Sequence, residues 1–112
     1  MKDDRLYLEH IAEAIRRTLE YTTEGEEVFR LDAKTQDAVL RNLQIIGEAA
    51  KKVSPGTVAR HPSVPWGSMA GLRDRVVHDY FGVSLDIVWD VVANHLPQVA
   101  REVRRLLEAS PT

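Results

Sequence analysis

Three residues that could act on a phosphate lie close together in the chain: Arg73, His78 and Tyr80, with Asp74 directly after the arginine. A histidine exchanges a proton near neutral pH, so it can act as a general acid or base. An arginine can hold a phosphate through two hydrogen bonds and stabilise the charge of a pentavalent transition state. These two groups would suffice for cleavage of RNA without a metal ion, in which the ribose 2′-hydroxyl attacks the adjacent phosphate.

The same residues have a second interpretation, as ordinary surface ion pairs. Arg73, Asp74, Arg75 and Asp79 would then form pairs on the outside of a helix, and His78 would be a half-buried structural histidine. Spacing alone favours this interpretation, because surface ion pairs are common and contribute little to stability. The residues therefore define a candidate site without deciding its chemistry.

The composition is that of one folded domain: the chain has 112 residues, of which 44% are apolar and 29% are charged. Cysteine is absent, which excludes a catalytic thiolate and a cysteine-ligated metal. The net charge of -2 does not indicate a general nucleic-acid binder, so any RNA contact would be local. The N-terminus has no signal-peptide pattern and no segment has the apolar length of a membrane span, so we expect a single cytoplasmic domain, residues 1–112.

Apolar residues recur every three or four positions along most of the chain, which predicts amphipathic helices. The predicted helices cover residues 3–23, 32–53, 66–82 and 84 to the C-terminal region. The stretch "SPGTVARHPSVP" (54–65) indicates a connector with at most one short helical turn. Pro97 would kink the last helix between Ala93 and Pro97. No strand pattern is present, so we predict an all-α protein, most simply an antiparallel four-helix up-and-down bundle.

The candidate residues fall on the third predicted helix, where a helical wheel separates them. Arg73 lies on the apolar line that runs from Trp66 to Tyr80, and a guanidinium buried there would need a carboxylate, water or a bound anion. His78 lies about 140° around the helix from Arg73, and one turn after Asp74. One straight helix therefore does not bring Arg73 and His78 to one point, but two copies across a symmetric interface could.

The sequence resembles the HepT family of HEPN-type ribonuclease toxins, which are paired with minimal nucleotidyltransferase antitoxins. The family's RX4HXY motif is matched by Arg73, His78 and Tyr80, and Asp74 is one of the polar residues that the family uses after the arginine. The similarity spans roughly residues 3–108, through "RNLQIIGEAAKKVSP" (41–55), "VPWGSMAGLRDRVVHDYFGVSLDIVWDVV" (64–92) and "LP" (96–97). The arginine and histidine spacing is a weak signal alone, and these stretches make the resemblance strong.

The resemblance implies a helical bundle that forms a homodimer, with the two motifs facing each other in a shared cleft. It implies the toxin of a type VII-like toxin-antitoxin system, a metal-independent endoribonuclease without a cofactor, in which Arg73 and His78 are catalytic and Asp74 supports the site. The substrate would be mRNA or tRNA. It also implies that Tyr80 accepts one or more AMP groups from the cognate nucleotidyltransferase antitoxin, whose added negative charge would silence the toxin by repelling RNA.

An alternative of a different class is a non-catalytic helical protein that binds nucleotide or RNA as the partner of a nucleotidyltransferase. Other residues able to do chemistry have structural interpretations. Glu48 could contact the arginine and histidine site from the second helix, but a solvated helix face is the stronger expectation. Beside it, Gly47 would allow another backbone to approach closely. His10, His61 and His95 do not share a spacing typical of metal ligands, so we predict no metal site.

Overall fold

The chain forms helices and two very short strands in the part that the computed structural model describes, residues 2–78 and 82–109. At positions 2, 73, 77 and 78 the backbone alone is described. The α-helices are α1 (Lys2–Tyr21), α2 (Glu26–Leu31), α3 (Ala33–Lys52), α4 (Pro55–Arg60), α5 (Trp66–Ala70), α6 (Leu72–Val76), α7 (Leu85–Asp90) and α8 (Leu96–Ala109). A π-helical segment, Val91–His95, joins α7 to α8, and the strands are β1 (Val77–His78) and β2 (Gly82–Val83).

The longest helices share one hydrophobic core, in which α1 packs along α3 and along α8. Their buried side chains recur every three or four positions, and they include Leu8, Ile11, Ile15, Val39, Leu43, Ile46, Leu96, Val99 and Val103. This is the pattern from which the helices were predicted, and the all-α class is confirmed. The antiparallel up-and-down order stays a prediction. In the described ranges, no helix combines the length and the apolar character needed to cross a bilayer.

Side-chain caps fix the beginning of two predicted helices. The Asp32 carboxylate accepts a hydrogen bond from the backbone N–H of Lys34 at 3.1 Å, so α3 begins where we predicted. The Ser84 hydroxyl accepts one from the backbone N–H of Ile87 at 3.3 Å, at the start of α7. In the predicted connector, the short helix α4 is the expected helical turn.

Helix α2 was not predicted, because six residues are too few to show a helical period. Helix α2 is held in place by contacts with α7. Phe29 is 1% exposed, and its ring centroid lies 5.4 Å from that of Trp89. Arg30 forms an ion pair with Asp86 of α7. Tertiary packing therefore stabilises α2 more than its own helix propensity does.

The third predicted helix, residues 66–82, is wrong at Val77, His78 and Gly82, and its residues 79–81 lie outside the described residues. The chain forms α5, makes a turn at Gly71, forms α6 and then leaves the helical path. At that point the carbonyl oxygen of Val76 accepts a hydrogen bond from the backbone N–H of Ser84 at 3.1 Å. A contact from eight residues further along the chain therefore replaces the bond that the next helical turn would have made.

Strands β1 and β2 take the place of the predicted last turns of that helix. They pair antiparallel, with Val77 opposite Val83 and His78 opposite Gly82. Val76 and Val77 are adjacent β-branched residues, which lose side-chain freedom in a helix and favour an extended backbone. The absence of a period-two pattern could not exclude a ladder of two residues, because alternation is recognisable only over about four residues or more.

The kink that we predicted between Ala93 and Pro97 falls where the structure has the π-helical segment. Pro97 has no backbone N–H, and in an ordinary α-helix its ring would crowd the carbonyl group of Ala93. A π-helical turn inserts a residue and relieves this crowding without ending the helix. The chain accordingly continues into α8.

A buried carboxylate joins the start of α1 to the start of α4. Asp4 is 4% exposed and accepts hydrogen bonds from the backbone N–H of Ser54 at 2.9 Å, from the Ser54 hydroxyl at 2.6 Å and from the Thr57 hydroxyl. Burial opposes the charged form of Asp4, but these hydrogen bonds together outweigh it and hold the pKa of the carboxyl below its ordinary value. Ionised Asp4 therefore stabilises the fold.

Replacing Asp4 with asparagine is expected to lower the free energy of unfolding at pH 7 by roughly 1–3 kcal/mol, because charged hydrogen bonds to half-buried Ser54 and buried Thr57 are lost. A carboxyl whose pKa is lowered by folding contributes its full stability above the unfolded value of about 3.9, and loses it as the pH falls through the folded value. The difference between wild type and Asp4→Asn should therefore shrink below about pH 4. Urea unfolding at pH 7 and pH 3 measures the difference in free energy of unfolding, and Asp3→Asn, at an exposed neighbouring position, is the control. If wild type and Asp4→Asn differed equally at both pH values, the lowered pKa of Asp4 would be contradicted.

Candidate active site

Helices α5 and α6 lie against α3, and Gly47 makes this contact close. A Cβ atom built at Gly47 would be 3.1 Å from the carbonyl oxygen of Met69 and 3.4 Å from that of Ala70. Such a position has room for glycine and little room for a larger residue. The expected close approach of another backbone at Gly47 is therefore confirmed. This close contact at Gly47 places α6, which carries Arg73 and Asp74, beside the C-terminal half of α3.

The buried face of α5 and α6 is formed by four side chains, Trp66, Met69, Leu72 and Val76. The predicted apolar line passed through position 73, whereas the buried side chain at this level is Leu72. Burying a guanidinium without a partner costs several kcal/mol, and burying a leucine is favourable, so the turn at Gly71 brings Leu72 inward.

Arg73 and His78 belong to different elements. Arg73 lies in α6, and His78 lies in β1 with its backbone paired to Gly82. The angle of about 140° that one helix would put between them therefore does not apply. Gly82 has a φ of 86°, a conformation that glycine adopts readily and other residues do not. Tyr80 lies outside the described residues.

Asp74 is exposed and borders a polar cleft of about 190 Å³ between α3 and α6. The cleft is lined by Gln44, Gly47, Glu48, Lys51, Ala70 and Asp74, and we call it the α3–α6 cleft. Glu48 is exposed, as expected for a solvated helix face, and the same cleft places it beside the residue that follows Arg73. The sequence did not indicate Gln44 and Lys51, although each lies one turn from Glu48 on α3.

Arg75, Asp90 and His95 form a second polar cluster, on another side of α6. The Oδ2 atom of Asp90 lies 3.8 Å from Nη2 of Arg75 and 3.1 Å from Nε2 of His95, and its Oδ1 atom accepts a hydrogen bond from Asn94 at 2.8 Å. The hydrogen bonds from Asn94 and His95 hold the pKa of Asp90 below its ordinary value. Arg75 thus forms a surface ion pair, as the second interpretation expected, but with a residue of α7.

This cluster was missed because Asp90 and His95 are five residues apart, a spacing that does not share a face in an α-helix. The π-helical segment between them brings positions five apart together. Pro97 was the signal for that segment, because it marked where the α-helix had to be distorted.

A larger cleft, of about 280 Å³, lies on the same side as Arg75. Most of its lining is apolar, and it includes Met69, Leu72, Val91, Leu96 and Val99, together with the polar Arg75, His95, Gln98 and Glu102. It shares no lining residue with the α3–α6 cleft. Arg73 and Arg75 are two positions apart, so they do not lie on one face of α6.

The other histidines do not form a metal site with each other. Within residues 2–78 and 82–109, no three His, Asp or Glu side chains are grouped as ligands for a metal ion. His10 contacts the ring of Tyr7 edge-on, with 6.4 Å between the ring centroids. The carbonyl oxygen of His61 accepts a hydrogen bond from Nε1 of Trp66 at 2.9 Å.

Comparison with known proteins places this sequence in a family. The sequence profile described as "Ribonuclease HepT-like" matches residues 11–106. A protein of Thermococcus cleftensis named "Probable ribonuclease HepT" is 44% identical over 89% of this chain and 92% of its own length. Two proteins whose names begin "Putative RNase", from Methanocaldococcus jannaschii and Caldanaerobacter subterraneus, are 38% and 36% identical, each over 96% of this chain, and cover 89% and 97% of their own lengths. No solved structure matches.

Proposed function

Because the chain belongs to the HepT-like ribonuclease family, we propose that it is an RNA endonuclease that works without a metal ion through Arg73 and His78. The observation that carries the proposal is the position of both residues inside the matched region, residues 11–106, at the spacing of the family's RX4HXY motif. The backbone supports it, since α6 is packed on α3 and the His78 backbone is paired to Gly82. The backbones of Arg73 and His78 thus belong to helix α6 and strand β1.

The proposed reaction uses one proton acceptor, one proton donor and one cation. A ring nitrogen of His78 takes the proton of the ribose 2′-hydroxyl, and the 2′-oxygen attacks the adjacent phosphorus. The Arg73 guanidinium stabilises the pentavalent transition state. The bond from phosphorus to the 5′-oxygen then breaks, and that oxygen takes a proton from a general acid, which leaves a 2′,3′-cyclic phosphate and a 5′-hydroxyl.

A homodimer would bring the two proposed catalytic groups to one phosphodiester. In a two-fold dimer both protomers bring the same surface to the interface, so two motifs can face each other. Arg73 of one protomer and His78 of the other would then act on one phosphodiester, and solvent water would protonate the leaving 5′-oxygen. The resemblance to dimeric family members supports this arrangement.

We further propose that the protein is the toxin of a toxin-antitoxin pair, silenced at Tyr80. The Tyr80 phenol oxygen would attack the α-phosphorus of ATP bound to a nucleotidyltransferase, with release of pyrophosphate and of the phenol proton. The product carries a phosphodiester-linked AMP two residues from His78. Its negative charge would compete for Arg73 and repel RNA, which is a switch by local electrostatics.

One experiment tests these proposals together: the protein is made with and without a minimal nucleotidyltransferase encoded beside it, and its intact mass and RNA cleavage are measured in EDTA. Protein made alone should cut RNA in EDTA and leave 2′,3′-cyclic ends. Protein made with the enzyme should gain the mass of one or more AMP groups and lose cleavage, whereas a Tyr80→Phe variant should gain no mass and remain active. Tyr7→Phe is the matched control, on α1 outside the motif.

Three outcomes would count against the proposals. Loss of cleavage in EDTA that Mg²⁺ restores would remove the metal-free mechanism. Binding of RNA without shortened products would favour the non-catalytic binding protein. AMP on another residue with Tyr80 unmodified would remove the silencing site while leaving the nuclease intact.

A further inference from the structure

We propose that the α3–α6 cleft is a guanine-binding subsite, which selects the base next to the cleaved phosphodiester. This inference rests on the proposed ribonuclease function and names part of its specificity. It assigns a role to Glu48 and Lys51 of α3, with Asp74 of α6 completing the subsite.

The spacing of the residues builds the cleft from one face of each helix. Gln44, Glu48 and Lys51 are four and three positions apart, so their side chains share a face of α3. Asp74 stands opposite on α6, four positions after Ala70. Gly47 and Ala70 complete the lining of this cleft of about 190 Å³, and both are small residues.

The polar groups of this cleft have no partners within the described part of the chain. Gln44, Glu48, Lys51 and Asp74 form no ion pair or side-chain hydrogen bond there, although Glu48 and Lys51 are only one turn apart. Some exposed charges elsewhere do pair, as Glu13 does with Arg16 and Arg17, and Arg30 with Glu26. The cleft therefore holds two carboxylates, one ammonium and one amide, none of which is paired with another described side chain.

Guanine is the RNA base whose edge matches these groups. Its N1–H and N2–H₂ groups are adjacent donors, and O6 beside them is an acceptor. A carboxylate has two acceptor oxygens and can take both donors at once, as Glu48 would, while the Lys51 ammonium donates to O6. The second N2 hydrogen is available to Asp74. Adenine, cytosine and uracil each present only one donor group on this edge, so a carboxylate there would meet an acceptor.

The position of Asp74 sets the subsite beside the proposed catalytic arginine. Consecutive Cα atoms are about 3.8 Å apart, so the backbone that carries Asp74 adjoins the backbone that carries Arg73. A base and the phosphate of the same nucleotide are separated by a single ribose. A guanine held by Glu48 and Asp74 would therefore bring its own phosphate to the region of Arg73.

Single-base substitution of an RNA substrate tests the subsite. Oligoribonucleotides that differ only in carrying G, A, C or U at one unpaired position are cleaved by the wild-type protein, and kcat/KM is measured for each. We expect cleavage next to G to be preferred by about 10-fold to 100-fold, and Glu48→Gln to remove most of this preference, because the amide replaces one acceptor with a donor. Lys51→Ala should weaken it too. Asp37→Asn and Lys34→Ala are matched controls on α3 outside the cleft, and they should keep it.

The outcomes separate this inference from the proposed function. Cleavage without base preference, or a preference unchanged in Glu48→Gln, overturns the subsite and leaves the nuclease standing. If no RNA is cleaved, the proposed nuclease function is overturned. The subsite is then tested separately, by following the binding of the four nucleoside 5′-monophosphates with NMR. Guanosine monophosphate should selectively shift the backbone amide signals of α3 residues 44–51 in the wild type and not in Glu48→Gln. Equal shifts with all four, or none, overturn it.

Discussion

Replacing Arg73 or His78 with alanine is expected to lower kcat for RNA cleavage by about a hundred-fold or more. Removing a general acid or base costs about 10²–10⁴ in rate, and removing a group that stabilises transition-state charge costs about 10²–10³. The measurement is the single-turnover rate on a labelled RNA, with circular dichroism to show that helix content is unchanged. Arg75→Ala is the matched control, because Arg75 lies two positions after Arg73 in α6 and pairs with Asp90 instead.

Mixing the two inactive variants tests whether the site is composite. If Arg73 of one protomer acts with His78 of the other, a heterodimer of Arg73→Ala and His78→Ala regains one complete site. Random assortment of equal amounts would then restore about a quarter of wild-type activity. No recovery, with exchange of subunits verified by mass spectrometry, would show that no site takes one residue from each protomer. Full activity of either variant alone would remove that residue from the mechanism.

Replacing Phe29 with alanine is expected to lower the free energy of unfolding by about 3–5 kcal/mol, the usual cost of removing a buried aromatic ring. Phe29 is 1% exposed and stacks against Trp89, so its loss leaves a cavity between α2 and α7. Urea unfolding followed by circular dichroism measures the change. Trp89 lies against the cavity, so tryptophan fluorescence should report the same transition.

The matched control is Leu31→Ala, two positions along the same helix. Leu31 is 88% exposed, so its truncation should change the free energy of unfolding by no more than about 0.5 kcal/mol. Comparable losses for Phe29→Ala and Leu31→Ala would mean that α2 is held by its helix propensity and not by packing. A small loss for Phe29→Ala would mean that α2 contributes little to the fold.

Much of the architecture could be read from local patterns. The all-α class, the extents of α1 and α3 and the start of α7 follow from apolar spacing and from caps such as Asp32 and Ser84. These signals depend on residues within one or two turns of each other. The family follows from the sequence as well, since the motif around Arg73 and its neighbouring stretches predicted the match that covers residues 11–106.

The end of the third helix could not be read in this way. Apolar spacing continues past Val76, and the helix stops there because the chain finds better partners in β2 and Ser84. The choice between a helical turn and a ladder for Val77 and His78 depends on residues that follow Gly82. It changes which element His78 belongs to, and so it changes the geometry of the proposed site.

The sequence by itself determined that the protein is helical, where its longest helices begin, and which residues match the family's motif. Tertiary structure alone decided that α2 forms, that Arg73 and His78 lie on separate elements, that Asp90 meets His95 across the π-helical segment, and that Glu48 and Asp74 border one cleft. The physical reason is the distance along the chain over which each interaction acts. Periodicity and capping are satisfied within a turn or two, whereas these four features depend on contacts between segments that the sequence places far apart, or on a local distortion that periodicity does not show.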